Sequence, residues 1–375
     1  MADRLTVALD ATPLAGERTG VGAFCLELLR ELARRPGLDV GAFALSRKGR
    51  SLLHGRLPKG VRAVGLGGPG LPARVLHASW AIWPFPPAEL YAPGADVVHG
   101  TNFVVPPAWR SATVVTVHDL SPLHFPNWSR PAARRYPELL KAAVGRGAWV
   151  HADSTFVARE AHELLGVPEE RLRVIYPGAP TPAKYARKPA RALPPWADNY
   201  VLALGTLEPR KAMPALVEAF GQIAGRHPGT ALVIAGPDGS ATPDLARAVA
   251  SSPARERVVR VGWAQDSERD ALLAGATVFA YPSLYEGFGL APLEAMAAGT
   301  PVVASCAGAL PEVLGDAALL VPPGDTSALA EALDHLLSDP TARQRLVERG
   351  EARAALYSWQ RCAAEMDSLY RAAAS

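Results

Sequence analysis

Between Val278 and Ala304 the chain runs from an apolar strand pattern, Val278 to Tyr281, through a loop holding Glu286-Gly287-Phe288-Gly289, into a helix that starts near Leu290. Pro292 falls in the first turn of that helix, where a missing N–H costs little. Gly299 stops the helix, and Thr300 to Ala304 forms the next strand. The order strand, loop, helix, strand commits this region to a parallel α/β sheet. It also sets two carboxylates toward the N-terminal end of one helix, Glu286 in the loop and Glu294 one turn inside. Between them lie glycine N–H groups and a helix N-terminus, which attract phosphate. Carboxylates repel phosphate, so the two acids are expected to grip hydroxyls on either side of it. A nucleotide sugar has that layout, with ribose hydroxyls, a diphosphate and sugar hydroxyls in sequence. A Gly-rich turn beside a solvated helix acid would account for Glu294 alone, but not for the stretch as a whole, because a turn needs only one glycine.

Length and composition set the frame. The 375 residues suggest two domains, at roughly 100–200 residues each. Hydrophobic residues make up 49% of the chain, enough for two packed cores, and a formal net charge of +3 gives no footing for a nucleic-acid coat. Cys25, Cys306 and Cys362 lie far apart without metal-ligand spacing and read as reduced thiols, mostly buried. No apolar run precedes a cleavage site and none is long enough to span a bilayer, so a cytoplasmic location is expected. Arginine far outnumbers lysine, and Lys211 is the only lysine after Lys188, which favours a specific role for it.

In chain order, strands and helices alternate. A strand from Leu5 ends in Asp10, and Thr19-Gly20-Val21-Gly22 precedes a helix from about Ala23 to Arg35. This is the phosphate-approach geometry of a Rossmann unit, although a tight turn explains the glycine pair equally well. The aromatic segment Trp80 to Pro87 reads as a helix end packed on the core, with an acceptor- or membrane-facing patch as the alternative. The strand Thr113 to Val117 ends in His118-Asp119, which faces the ligand crevice if the sheet is doubly wound. Ser154 is a candidate helix N-cap. Pro180 to Trp196 has a linker composition. A second α/β unit follows from Tyr200, with Arg210-Lys211 between the end of one strand and the start of a helix, where two cations add to the helix dipole.

The run Glu286-Gly-Phe-Gly-Leu-Ala-Pro-Leu-Glu294-Ala-Met-Ala-Ala-Gly-Thr-Pro-Val-Val resembles the signature of the retaining glycosyltransferases of family 4, which have the GT-B fold. The resemblance covers nearly the whole chain and is strongest from Val201 to Leu337. It implies two Rossmann-like doubly wound domains: residues 1–185 on the acceptor side, a linker at 186–198, and a donor-binding domain at 199–358. A last helix, 359–375, would cross back to the first domain. It also implies that Glu286 contacts the donor sugar and Glu294 the ribose, with Gly287, Phe288 and Gly289 along the sugar and nearest phosphate, at the start of the Leu290 helix. Gly20 and Gly22 would lie near the diphosphate, and Gly262-Trp263 would place backbone against the base. His118, within Val-Thr-Val-His-Asp-Leu, would hydrogen-bond a sugar hydroxyl. Arg210 and Lys211, after Gly205-Thr206, would neutralise the donor phosphates. Two positions depart from the family pattern: Thr206 stands where many members carry Arg, and Ala212 where Asn is frequent.

The reaction expected is hexose transfer with retention from a nucleoside-diphosphate sugar, GDP-mannose first and UDP-hexose second, to a glycan or lipid-linked acceptor. No Asp-x-Asp triplet occurs, so fixed cations and helix N–H groups are expected to stabilise the leaving phosphate without a metal or other cofactor. Peripheral membrane contact would accompany a lipid-linked acceptor. The rivals are another nucleotide-sugar enzyme of the same fold, such as an epimerase, and a non-catalytic nucleotide-sugar-binding protein. A phosphorylase would need a lysine late in the chain, and none follows Lys211.

Overall fold

The computed structural model describes residues 4–16, 20–53, 55–65, 70–129, 131–180, 194 and 196–375. The chain divides into two compact units, Met1–Gly178 with Ser358–Ser375, and Ala179–Tyr357. The boundary at Gly178 falls upstream of the Pro- and Ala-rich stretch, most of which lies outside the described residues, as does Thr19.

The first unit is a seven-stranded sheet. Its strands are β1 (Leu5–Asp10), β2 (Leu38–Phe43), β3 (Arg62–Ala63), β4 (Val97–Gly100), β5 (Ala112–Val117), β6 (Trp149–Ala152) and β7 (Leu172–Val174). They pair in the order β3-β2-β1-β4-β5-β6-β7, all parallel. The order reverses between β1 and β4, and the crevice beyond the carboxyl ends of strands at such a switch is where open α/β sheets bind ligands. The strands are apolar on both faces because helices cover both, as all-parallel sheets require. The helix Gly20–Leu32 buries Phe24, Cys25, Leu28, Leu29 and Leu32, a stripe at helical spacing. It opens at Gly20, so Gly20 and Gly22 form its first turn rather than a loop ahead of it. Ser154 caps the helix Thr155–Leu165 as expected, its Oγ accepting from Val157 N at 3.1 Å.

The final helix, Trp359–Ala374, belongs to this unit and packs on Gly20–Leu32. Arg35 and Arg371 both pair with Asp367, at 2.8 and 2.9 Å. The fully buried Tyr370 hydroxyl meets His99 Nδ1 at 2.8 Å. Backbone approaches backbone at Gly178, where a Cβ would stand 2.3 Å from Trp359 N.

The aromatic segment splits. Trp80 is fully buried and donates to Pro86 O at 3.0 Å, as a core-packed helix end should. Ile82, Trp83 and Phe85 are not packed, with 89%, 67% and 48% of their surface exposed. The helix ends at Trp80, and the turn beyond it carries these side chains outward.

The second unit is a six-stranded parallel sheet: β8 (Asn199–Leu204), β9 (Thr230–Ala235), β10 (Val258–Gly262), β11 (Val278–Tyr281), β12 (Val302–Ser305) and β13 (Ala318–Val321). The order is β10-β9-β8-β11-β12-β13, which puts the switch between β8 and β11. Its core joins Val201, Ala203, Ile234 and Val278 to Leu216, Phe220 and Leu333 from the covering helices Met213–Ile223 and Thr326–Ser338. Each fully buried leucine there contributes roughly 1.5–3 kcal/mol. Among the described residues no helix is long and apolar enough to cross a membrane.

Candidate donor site

The carboxyl ends of β8 and β11 meet in one cluster of charges. After β8, Gly205 and Thr206 lead into a single 3-10 turn, Pro209–Lys211. Ala212 ends that turn with φ +50°, a left-handed conformation that Asn tolerates better than Ala. After β11 the chain passes Ser283 to Glu286, and Leu284 N donates to Arg210 O at 2.7 Å, joining the two loops. Glu286 is fixed from behind by Gly308 and Ala309: Ala309 N donates to Glu286 O at 2.9 Å. Gly308, at φ +59°, leaves no room for a Cβ, which would stand 2.2 Å from the same oxygen.

Lys211 Nζ donates to Glu286 Oε1 and to the Tyr281 hydroxyl, both at 2.5 Å, and lies 4.7 Å from the Tyr281 ring centroid. Arg210 reaches the same Glu286 oxygen at 3.1 Å and Glu208 at 3.1 Å. Burial alone would raise the Glu286 carboxyl, but Lys211 and Arg210 prevail and bring its pKa down from 4.5 to about 2. Burial, with the Arg210 charge added, lowers the Lys211 ammonium against the pull of Glu286. Among the described residues Lys211 makes two hydrogen bonds, so one of its three ammonium protons is left for a ligand. The cluster is two cations held by two carboxylates, a set of pairs that an incoming dianion can redistribute.

The helix Leu290–Ala297 starts beside this cluster, with Gly289 at φ +110° as its N-cap and Pro292 in its first turn. Leu290 begins the helix, and Gly287 precedes the cap. Phe288 is 5% exposed and packs edge-to-face on Tyr357 at 5.7 Å, so its ring is part of the packed core. Glu294 is buried and ion-paired with Arg269. Gly262, at the end of β10, accepts from Gly236 N at 2.5 Å, and Trp263 beyond it is 41% exposed.

Gly20, Gly22 and His118 belong to the first unit. His118 is not partnered by its neighbour Asp119, whose carboxylate instead accepts from Ser121 N at 2.9 Å. The parallel register pairs Val117 with Ala152, which brings Asp153 alongside His118. His118 Nδ1 donates to Asp153 Oδ2 at 2.6 Å and Nε2 to Thr101 O at 2.9 Å. Burial would lower the imidazole pKa, but Asp153 outweighs it, and the direction is upward. With a partner at each nitrogen, this arrangement leaves neither ring nitrogen for a sugar hydroxyl.

Reading the sequence alone missed Tyr281 as a partner of Lys211, Glu208 as a partner of Arg210, the Gly308 cradle, Asp153 and Arg269. Only Asp153 had a usable signal, being the residue after the neighbouring strand of a parallel ladder. Among the described residues no group of three or more His, Cys, Asp or Glu side chains is arranged to hold a metal.

Each half of the chain matches a family model: "Glycosyltransferase Family 4" over residues 18–181 and "Glycosyl transferases group 1" over residues 187–353. The chain is 30% identical to O-antigen chain mannosyltransferase B of Escherichia coli over 393 aligned positions, spanning 98% of this chain and 100% of that one. It is also 30% identical to the D-inositol 3-phosphate glycosyltransferase of Acidothermus cellulolyticus, covering 97% of this chain and 89% of the relative. Among solved structures, Anabaena HepE in complex with UDP-glucose superposes with a TM-score of 0.72 at 21% identity, over 97% of this chain and 99% of that chain. Two doubly wound sheets, a family model on each half and full-length relatives together place this chain in glycosyltransferase family 4, as a glycosyltransferase of the GT-B fold.

Proposed function

We propose that the chain transfers a hexose, mannose in the first instance, from a nucleoside-diphosphate sugar to a glycan or glycolipid, with retention and without a metal. The observation that carries this is the Arg210–Lys211–Glu286 cluster at the β8/β11 switch. Cleavage of the donor leaves negative charge on the diphosphate. Lys211 and Arg210 are the fixed positive groups that take it up, and the positive end of the Leu290–Ala297 helix adds to them. Glu286, held ionised by its cations, accepts from donor-sugar hydroxyls as the phosphate draws those cations toward itself. A carboxylate of pKa about 2, already carrying two cations, is a poor nucleophile and a poor base. That favours front-face attack, in which the acceptor hydroxyl forms the new bond, the glycosidic bond to the phosphate breaks, and the departing phosphate takes the acceptor's proton. Within the second unit, Gly205, Thr206 and Gly262 supply backbone near the nucleotide.

Mannose comes first because the Escherichia coli relative is a mannosyltransferase, while the HepE complex supports UDP-glucose-like donors as the alternative. The test is a thermal-shift screen of GDP- and UDP-sugars followed by transfer assays in EDTA. Stabilisation by a nucleotide sugar and turnover that survives EDTA are expected. Activity abolished by EDTA and restored by Mn would overturn the metal-free step. The exposed Ile82, Trp83 and Phe85 favour a second element of this reading, peripheral contact with the cytoplasmic membrane face where a lipid-linked acceptor would lie. Co-sedimentation with anionic vesicles, lost on replacing all three by Ser, tests it.

A further inference from the structure

Glu294 has one carboxylate oxygen occupied and one open. Its side chain is 9% exposed, and Oε2 is ion-paired with Arg269 Nη2. Among the described residues Oε1 has no protein partner, and it is not sealed from solvent. Arg269 comes from a different element, the helix Asp266–Gly275, which follows β10 and the Gly262–Trp263 turn. A buried carboxylate without a cation would be costly to keep ionised. A guanidinium on one oxygen keeps it charged and fixes the plane in which the other oxygen faces out.

We propose that Arg269 is a positioning residue for nucleotide recognition. It holds Oε2 of Glu294 so that Oε1 is presented to the ribose hydroxyls of the donor, and this pair sets how strongly the protein prefers ribonucleotides to 2′-deoxyribonucleotides. The inference rests on the reading of Glu294 as the ribose-binding acid and goes beyond it by naming the residue that aims that acid. It also explains why the pair spans two helices: the guanidinium arrives from the base-side element and the carboxylate from the phosphate-side element.

The experiment is calorimetric titration of the full chain with GDP and 2′-deoxy-GDP, and with UDP and 2′-deoxy-UDP, for the wild type, Glu294→Ala, Arg269→Ala and Arg269→Lys. Inorganic pyrophosphate binding and the melting temperature serve as controls for folding. A hydrogen bond to a charged acceptor gives the wild type a ribo-over-deoxy preference on the order of tenfold or more. Glu294→Ala is expected to bring the ratio close to one. Arg269→Ala is expected to cut it to about threefold or less, with pyrophosphate affinity kept, KM for the donor raised and kcat changed least. Arg269→Lys, which keeps the charge without the planar fork, should recover part of the ratio and is the variant to read if the alanine form does not fold. A wild-type ratio in both Arg269 variants, with the ratio lost in Glu294→Ala, overturns the positioning role and leaves the ribose assignment standing. A ratio unchanged in Glu294→Ala, or no binding of either nucleotide by the wild type, removes the ribose assignment and this inference with it.

Discussion

The two sheets share a topology but treat their switch points in opposite ways. At the first, polar groups are consumed internally. Asp10 accepts from Thr12, and His99 bridges Tyr370 and Thr116. His151 links Thr116 to Ile175 O, and His118 sits between Asp153 and Thr101 O. Burial pushes His99 and His151 below the ordinary histidine range and Asp10 up to about 6, while Asp153 draws His118 upward. At the second, Lys211, Arg210, Glu286 and the Arg269–Glu294 pair keep full charges beside a helix start. A network whose members bond one another stabilises a fold; exchangeable ion pairs can be reassigned to a ligand. The difference separates scaffold from chemistry more clearly than either motif does alone.

The sharpest way to break this contrast is Lys211→Ala. Turnover should fall about 10²–10³-fold, the scale for losing one preorganised group facing developing charge, and the melting temperature should also drop because buried Glu286 loses its nearest cation. Steady-state kinetics beside a thermal melt would show it, and near wild-type turnover would mean that the second edge is as structural as the first. Next is Glu286→Gln followed by melting from pH 8 to 3. The folded pKa of Glu286, about 2, lies below its unfolded 4.5, so its ionic stabilisation is complete above the unfolded value and is lost as pH falls toward 2. The gap between wild type and variant should therefore stay flat above pH 5 and narrow below about pH 4. Tyr370→Phe should leave turnover alone: a loss of about 1–2 kcal/mol in denaturant unfolding, from His99 Nδ1 left without its partner, and little change in kcat. The smallest effect is a gain. Ala212→Asn should raise stability by roughly 0.5–1 kcal/mol because the left-handed backbone there suits Asn.

Much of the second unit was legible because its signals are local. Val278–Tyr281, Gly289, Pro292 and Gly299 each dictate their own neighbourhood, and the structure has strand, cap, first turn and stop at those residues. What escaped depends on who stands next to whom. Asp119 adjoins His118 in sequence, yet adjacent residues leave a strand in different directions, and the sheet register supplies Asp153 instead. Arg269 looks like one of many surface arginines until helix packing sets it against Glu294. Ala212 was noticed as a departure from a family pattern, and only its backbone angle gives that departure a cost. For Trp80 to Pro87 both the core-packed and the outward-facing reading were open, because an apolar run looks the same in sequence whether it faces inward or outward, and each holds for part of the segment.

The helix Trp359–Ala374 carries a consequence for biosynthesis. The first unit is nearly all made by residue 178, but Tyr370, which seals His99, and Trp359, which lies against Phe24, come almost at the chain's end. At about 5–20 residues per second the second unit occupies the ribosome for roughly 10–40 s in between. Throughout that interval the nascent first unit lacks the helix that meets Phe24 and His99, so the earlier half of the protein is the later one to be completed.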